Sequence, residues 1–279
     1  MNKFIAGVIQ LDSQNDIDAN LKIAGELVRE AASRHAKLIC MPEGVNYIGM
    51  DSGPGAEEIP GGKSASFFSE LAKELNVWLH CGSIYEKSDD GLPLNCTIVI
   101  NPSGDIVARY RKMHPFDVIL ANGGPTVKES DRIKPGSDIV TIDTGEVGHI
   151  GLSICYDMRF CELYRIMALE GANIFVCPSD FTMNTGKDHW EPLLRARAIE
   201  NGCYVIAPGQ IGKKPRFQAY GHSMIIDPWG NIIACASDRV CSITAEIDLD
   251  YVERVRKQIF TLENRRTDIY SLCRIVSKG

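Results

Sequence analysis

Asn101-Pro-Ser-Gly-Asp-Ile-Val-Ala108 and Asp227-Pro-Trp-Gly-Asn-Ile-Ile-Ala234 are the two stretches on which the fold turns. Each sets a Pro-x-Gly turn ahead of an apolar run, which is the chemistry of a β-hairpin. Upstream, Leu38-Ile-Cys-Met-Pro-Glu43 matches Ile174-Phe-Val-Cys-Pro-Ser179 in outline. Both halves run strand, helix, strand ending at Pro, helix, then hairpin. Turn chemistry alone favours Pro-x-Gly, which leaves coincidence open. Taken as a repeat, the order predicts an α/β protein: two sheets from two similar halves with helices outside, a four-layer αββα sandwich.

Working outward, Phe4–Gln10, Leu38–Met41, Val77–Tyr85, Asn95–Ile100 and Val107–Arg111 read as strands of the first half. Asn20–Arg34 and Ser64–Leu75 carry apolar residues at helical spacing. The second half has strands at Val147–Ile154, Asn173–Cys177, Tyr204–Ala207, Ser223–Ile226 and Ile232–Ala236, with helices at Cys161–Leu169 and His189–Glu200. Gly49–Lys63 is rich in Gly and Pro and reads as a rim loop. No linker divides the chain, so one domain over 1–279 is expected, with a C-terminal arm from about 260.

The 279 residues are 44% hydrophobic, 24% charged and 8% aromatic, which suits a globular chain with a sizeable core. The net charge of −6 and pI near 5.6 argue against nucleic acid as a partner. The basic cluster Arg254, Arg256 and Lys257 lies beside Glu253 and Asp250 and reads as a solvated helix face. No apolar run approaches the ~20 residues of a membrane span, and the opening stretch reads as a strand rather than a signal peptide. The ten cysteines form no Cys-x-x-Cys pair. Most sit in apolar runs, as at Cys40, Cys177 and Cys235, and are expected to pack as small hydrophobes in a reducing, cytoplasmic compartment.

Three strand ends carry candidate chemistry. Cys155 follows a buried strand and opens a charged turn into a helix, where backbone N–H groups favour the thiolate. Glu43, in Met41-Pro-Glu-Gly44, is a general base if an apolar site raises its affinity for protons. Lys112, before His114-Pro115, is a cation for an oxyanion or a thiolate. Taken singly, each has a plainer reading: a core cysteine, a surface acid and a solvated lysine.

Together they resemble the nitrilase (carbon–nitrogen hydrolase) superfamily over essentially the whole chain. The motifs are Pro-Glu-Gly after a strand, Tyr-Arg-Lys-x-His-x-Phe-Asp, and Gly-Leu-x-Ile-Cys-Tyr-Asp-x-Arg-Phe, in the order and spacing of that family. The resemblance implies the same αββα fold and a catalytic Glu43, Lys112 and Cys155, with Glu129 as a second glutamate that positions Lys112 or the substrate. It implies that Cys155 attacks an amide carbonyl and Glu43 moves the proton to the leaving ammonia. Lys112 and the backbone N–H of Tyr156 hold the oxyanion, and a thioester on Cys155 is hydrolysed. No metal or cofactor is needed. A homodimer or larger homo-oligomer is implied, across Cys161–Leu169 and Lys187–Glu200.

Cys155-Tyr-Asp-Met-Arg-Phe160 looks like the amidase branches rather than the nitrilases or N-carbamoyl amino acid hydrolases, which remain alternatives. Phe181-Thr-Met-Asn-Thr-Gly186, His189–Glu200, Gly221-His-Ser-Met224 and Gln210 look like the deaminated-glutathione amidase and omega-amidase group. The expected substrate is a small carboxylate-bearing ω-amide. Arg159, Phe181, Thr182 and His114 are candidate substrate contacts, and Lys128 and Arg195 are further carboxylate anchors; Arg159 reads equally as an ion-pair partner. His114, His189 and His222 read as structural or pocket-lining. Asp180 and Pro208 depart from the group's pattern, as does Cys161. Two other classes stay open: a non-catalytic interaction protein retaining the triad, and a redox sensor pairing Cys155 with Cys161.

Overall fold

The computed structural model describes residues 2–89, 91–119 and 126–275. The first half comprises β1 (Lys3–Gln10), α1 (Ile17–Ser33), β2 (Ala36–Cys40), β3 (Ala56–Glu57), α2 (Lys63–Leu75), β4 (Trp78–His80), β5 (Ile84–Glu86), β6 (Leu94–Ile100) and β7 (Ile106–Arg111). Next come β8 (Asp117–Ile119), β9 (Thr126–Lys128), β10 (Thr141–Asp143), β11 (His149–Leu152), α3 (Cys161–Leu169), β12 (Ile174–Val176) and α4 (Met183–Asn201). The remainder is β13 (Tyr204–Ala207), β14 (Ile211–Lys213), β15 (Gln218–Tyr220), β16 (Met224–Ile226), β17 (Ile232–Cys235), β18 (Cys241–Asp248) and α5 (Leu249–Arg256).

Two sheets form the core. One has the order β18-β1-β2-β4-β6-β5-β3 with β7 added on β6, and the other β10-β11-β12-β13-β16-β17. In the first, β1, β2 and β4 are parallel and β6 and β7 antiparallel. In the second, β11, β12 and β13 are parallel and β16 and β17 antiparallel. The halves therefore repeat. The two quoted turns repeat down to their hydrogen bonds: Asn101 Oδ1 accepts from the Ser103 and Asp105 N–H groups, each at 2.9 Å. Asp227 Oδ1 accepts from those of Trp229 and Asn231, each at 2.9 Å. Gly104 and Gly230 close the turns at φ +88 and +92, a left-handed conformation that favours glycine.

Strand alternation divides the core. On β1 and β2, Ala6, Val8, Leu38 and Cys40 face the second sheet's residues, such as Ile150 and Leu152. Ile9 and Ile39 face the other way, onto Leu21, Ala24 and Val28 of α1 and Phe68 and Leu71 of α2. The helices α3 and α4 cover the outer side of the second sheet, with Met167, Trp190 and Leu194 buried there. The arrangement is the expected αββα sandwich.

Several boundaries differ from those expected. α1 starts at Ile17, because the Asp16 carboxylate caps it by accepting from the Ala19 N–H at 3.1 Å. α4 starts six residues before His189, capped by Thr182. Its polar first turns lack an apolar stripe, since Gly186 sits directly against the ring of Tyr220. The expected strand Val77–Tyr85 is two strands. The chain breaks at Cys81–Ser83, where Gly82 (φ +56) passes so close to Pro42 that a Cβ would lie 2.0 Å from the Pro42 carbonyl oxygen. β18 was not expected, although Ile243, Ala245 and Ile247 alternate with polar residues in the period of a strand. Among the described residues, no helix is long and apolar enough to cross a membrane.

Two expectations about surface and core are corrected. Cys161, Cys235 and Cys273 are exposed rather than packed; β17, which carries Cys235, is an edge strand. Arg256 leaves the solvated face and donates to Ala172 O at 2.7 Å.

Candidate active site

The loops that leave β2, β7, β11 and β12 converge. Glu43 follows β2, and its backbone is pinned by Ser83, whose hydroxyl accepts from the Gly44 N–H at 3.0 Å. Behind it, Gln210 donates from Nε2 to Glu43 O at 2.9 Å. Lys112 follows β7 and pairs with β6, its N–H donating to Asn95 O at 2.8 Å. Cys155 begins a 3-10 turn over Cys155–Arg159 and holds φ +48. That strained conformation is uncommon for a residue with a Cβ. Its N–H donates to Pro178 O at 2.9 Å. The first N–H groups of such a turn have no partner inside it, and Tyr156 supplies one of them.

Lys112 is 1% exposed and its Nζ makes three contacts: Glu43 Oε1 at 3.0 Å, Glu129 Oε1 at 3.1 Å and Glu129 Oε2 at 2.8 Å. Burial opposes the charge on this ammonium. The carboxylates of Glu129 and Glu43 outweigh it and hold Lys112 well above the usual lysine range. Glu43 Oε1 also accepts from Asn95 Nδ2 at 2.7 Å, and Oε2 accepts from the Asp180 N–H at 2.8 Å. Glu129 Oε2 accepts from the Phe116 N–H at 2.6 Å. The Cys155 thiol is pushed up by burial and by Glu43, against the pull of Lys112.

These residues line a cavity of about 740 Å³ together with Tyr85, Asp180, Phe181 and Thr182, a volume in the range of small-molecule sites. Ile48 lines it too, as do Gly49 and Ser52 of the Gly-rich loop. Lys128, Arg132, Lys214 and Arg216 also line it. Arg132 has no ion pair among the described residues.

The sequence expectations for substrate contacts divide. Phe181 and Thr182 line the cavity, with the Thr182 hydroxyl also capping α4 by accepting from the Thr185 N–H at 3.3 Å. His114 does not line it: the ring Nδ1 donates to Asp157 Oδ1 at 2.7 Å and the ring stacks on Phe160 at 3.6 Å. Nor does Arg159, whose guanidinium lies over the rings of Phe181 (5.4 Å) and Tyr156 (5.7 Å) and contacts His189 at 3.3 Å. Arg195 is engaged by Gly230 O at 2.8 Å and by Glu191. His222 stacks on Tyr220. All ten cysteines are free, and Cys161 is exposed where Cys155 is buried.

Sequence reasoning passed over Tyr85, Asn95 and Asp157, and noted Asp180 only as a departure. Asp157 stood in the quoted motif, and its role lies in contacts with distant residues. Asn95 and Tyr85 carried no local signal.

The family model "Carbon-nitrogen hydrolase" matches residues 5–257. Human deaminated glutathione amidase is 40% identical over 273 residues, covering 95% of this chain and 83% of that protein. Human omega-amidase NIT2 is 38% identical over 275 residues, covering 98% of each. The nitrilase and fragile histidine triad fusion protein of Caenorhabditis elegans is 39% identical over 277 residues, and the chain spans 62% of its length. Among solved structures, Saccharomyces cerevisiae Nit3, a member of branch 10 of the nitrilase superfamily, superposes with a TM-score of 0.84 at 32% identity, covering 95% of this chain and 97% of that one. The chain belongs to the carbon–nitrogen hydrolase family and is a hydrolase of carbon–nitrogen bonds other than peptide bonds.

Proposed function

We propose that the chain hydrolyses a small carboxylate-bearing ω-amide through a thioester on Cys155. The observation that carries this is the convergence of Glu43, Lys112 and Cys155 on one cavity, with the cysteine held on a strained turn. Glu43 Oε1 already receives two donors, from Asn95 and Lys112, while Oε2 receives one, from Asp180. Oε2 is therefore the oxygen with a free lone pair, and takes the Cys155 proton as sulfur attacks the amide carbon. The tetrahedral oxyanion is held by the Tyr156 N–H and by the charge of Lys112, whose three N–H donors are spoken for in the resting site.

Collapse of the intermediate breaks the carbon–nitrogen bond while Glu43 returns the proton to nitrogen. Ammonia leaves from a primary amide, and an amine from a substituted one. Glu43 then deprotonates water, which attacks the thioester, and the proton goes back to the sulfur as the acid departs. Glu129 holds Lys112 in place. The carboxylate of the substrate is anchored at the cationic side of the cavity, where Arg132 has no ion pair among the described residues and Arg216 donates to the Met50 carbonyl at 2.9 Å.

The test is release of ammonia or amine from α-ketoglutaramate, α-ketosuccinamate, deaminated glutathione, an N-carbamoyl amino acid and an aliphatic nitrile, with Cys155→Ala beside the wild type. Release from an ω-amide, lost in the variant, supports the reading. Release from the carbamoyl compound or the nitrile alone overturns the substrate class. Silence with a folded protein favours a non-catalytic role.

A further inference from the structure

Asn95 is a polar residue in a core-facing row. Along β6, Cys96, Ile98 and Ile100 turn to the helices, while Val99 packs toward the second sheet. Side chains alternate along a strand, so Asn95 and Thr97 share the face of Val99. Thr97 is bonded there, its hydroxyl meeting His80 Nε2 at 3.2 Å. Asn95 is 2% exposed, and its amide is bonded at one end alone: Nδ2 donates to Glu43 Oε1 at 2.7 Å, while Oδ1 is enclosed and has no partner among the described residues. An unpaired buried acceptor is a costly state. Turning the amide over does not relieve it, because Oδ1 would then face Glu43 Oε1, acceptor against acceptor. Stability alone favours an apolar side chain at this position, so the amide is kept for its hold on Glu43.

The same residue registers the cation. Asn95 O accepts from the Lys112 N–H at 2.8 Å, and Lys112 Nζ reaches back to Glu43 Oε1 at 3.0 Å. A carboxylate oxygen offers two lone-pair sites, and Asn95 and Lys112 occupy both on Oε1. Oε2 accepts from the Asp180 N–H at 2.8 Å and keeps its other site. The Glu43 carboxylate thus has a single open position, and rotation about its last bond would break three hydrogen bonds.

We propose that Asn95 is a positioning residue for Glu43: by saturating Oε1 it confines the proton exchanged with Cys155 to Oε2. This rests on the reading of Cys155 as nucleophile and Glu43 as its base, and adds a residue to that machinery. Without the Asn95 donor, Oε1 regains a free lone pair, and the proton divides between the oxygen that serves the reaction and one that does not.

The test follows α-ketoglutaramate turnover from pH 5 to pH 9 in the wild type, Asn95→Leu and Asn95→Asp. Asn95→Leu keeps the bulk and removes the donor. It is expected to lower kcat by about 10²-fold, the scale of a misplaced reacting group, with KM little changed. Asn95→Asp is nearly isosteric, and its new carboxyl offers a donor only when protonated. At pH 8 it is expected to be as slow as Asn95→Leu. Toward pH 5 its kcat relative to the wild type is expected to rise by about tenfold or more, the worth of one hydrogen bond to a charged group, while that of Asn95→Leu stays flat. A recovery that follows the proton belongs to the donor, since packing does not change with pH. A flat ratio in Asn95→Asp overturns the inference, as does an unaltered kcat in Asn95→Leu. Should Asn95→Leu not fold, the pH response of Asn95→Asp decides alone.

The rate at which iodoacetamide alkylates Cys155, read from peptide mass, separates this inference from the reading beneath it. If Glu43 is not the base, Glu43→Gln leaves that rate unchanged and both fall. If Glu43→Gln slows alkylation, the base stands; slowing in Asn95→Leu then upholds Asn95, and an unchanged rate defeats Asn95 alone. In the Glu43→Gln background, Asn95→Leu is expected to add nothing, because the two act as one unit.

Discussion

The phenol of Tyr110 donates to Asp157 Oδ2 at 2.7 Å, joining the strand that ends at Lys112 to the turn that begins at Cys155. Asp157 is fully buried and also accepts from the Ile154 N–H at 2.8 Å, and from the His114 N–H at 3.1 Å and Nδ1 at 2.7 Å. One carboxylate thus sets two proposed catalytic side chains relative to each other. Asparagine at this position turns an acceptor oxygen into a donor facing donors. Each buried group left unpaired costs about 1–3 kcal/mol. Asp157→Asn is expected to lower the melting temperature and to cut kcat by about 10–100-fold with little change in KM. Thermal melts and steady-state kinetics check this; unaltered kcat contradicts it.

Lys112 neutralises the buried Glu43 carboxylate and the partly buried Glu129 carboxylate at once. Lys112→Met leaves Glu43 and Glu129 facing each other without a cation, and breaking a buried pair in this way costs about 3–5 kcal/mol. The urea midpoint is expected to fall clearly and turnover to vanish. A midpoint equal to that of the wild type would show that the carboxylates do not depend on this ammonium.

Asp180 also makes stability depend on pH. Burial first, and Glu43 next, push its carboxyl up to about 7, against the pull of Lys214 and Lys112, with Asp12 adding to the rise. Its folded affinity for a proton exceeds the unfolded one, whose reference is 3.8. The folded state is therefore favoured at low pH and loses that advantage as pH rises from about 4 through about 7. Asp180→Asn removes the cost of the buried charge. Relative to the wild type, it is expected to gain stability at pH 8 and to lose most of that gain by pH 5. Denaturant melts at the two pH values measure this, and a difference independent of pH counts against a raised Asp180.

Gly82 makes room for the loop that carries Glu43. With φ +56 and the Pro42 carbonyl where a Cβ would sit, Gly82→Ala has to displace Pro42 and with it the neighbouring glutamate. Turnover is expected to fall by about 10²-fold, the effect of an ångström-scale misplacement, alongside a lower melting temperature. Normal kinetics in a folded Gly82→Ala protein would show that the Glu43 loop tolerates the shift.

The fold was legible where local chemistry and long-range pattern coincided. The Asn101 and Asp227 turns bond alike because the same residue types sit at the same offsets, and the repeat followed from them. The break at Cys81–Ser83 was not legible, since it answers to Pro42 on another strand. The early start of α4 was hidden because Gly186 packs on Tyr220 and leaves no apolar stripe. For the site, Glu43, Lys112, Cys155 and Glu129 stood in recognisable motifs, and the structure brings them to one cavity. His114 and Arg159 stood in the same motifs but turn to Asp157 and to aromatic faces. Asp180 stood in no motif, and its N–H meets Glu43 Oε2 only because the loops after β2 and β12 converge.

The central claim is a covalent bond between the substrate acyl group and Cys155. The most direct measurement is the mass of the peptide carrying Cys155 after rapid acid quench of the wild-type protein turning over an ω-amide. The account predicts a mass increase equal to the acyl group on that peptide, with one equivalent of ammonia released per adduct. Cys155→Ala should give neither adduct nor ammonia. Steady turnover with no adduct, continuing in Cys155→Ala, would contradict it.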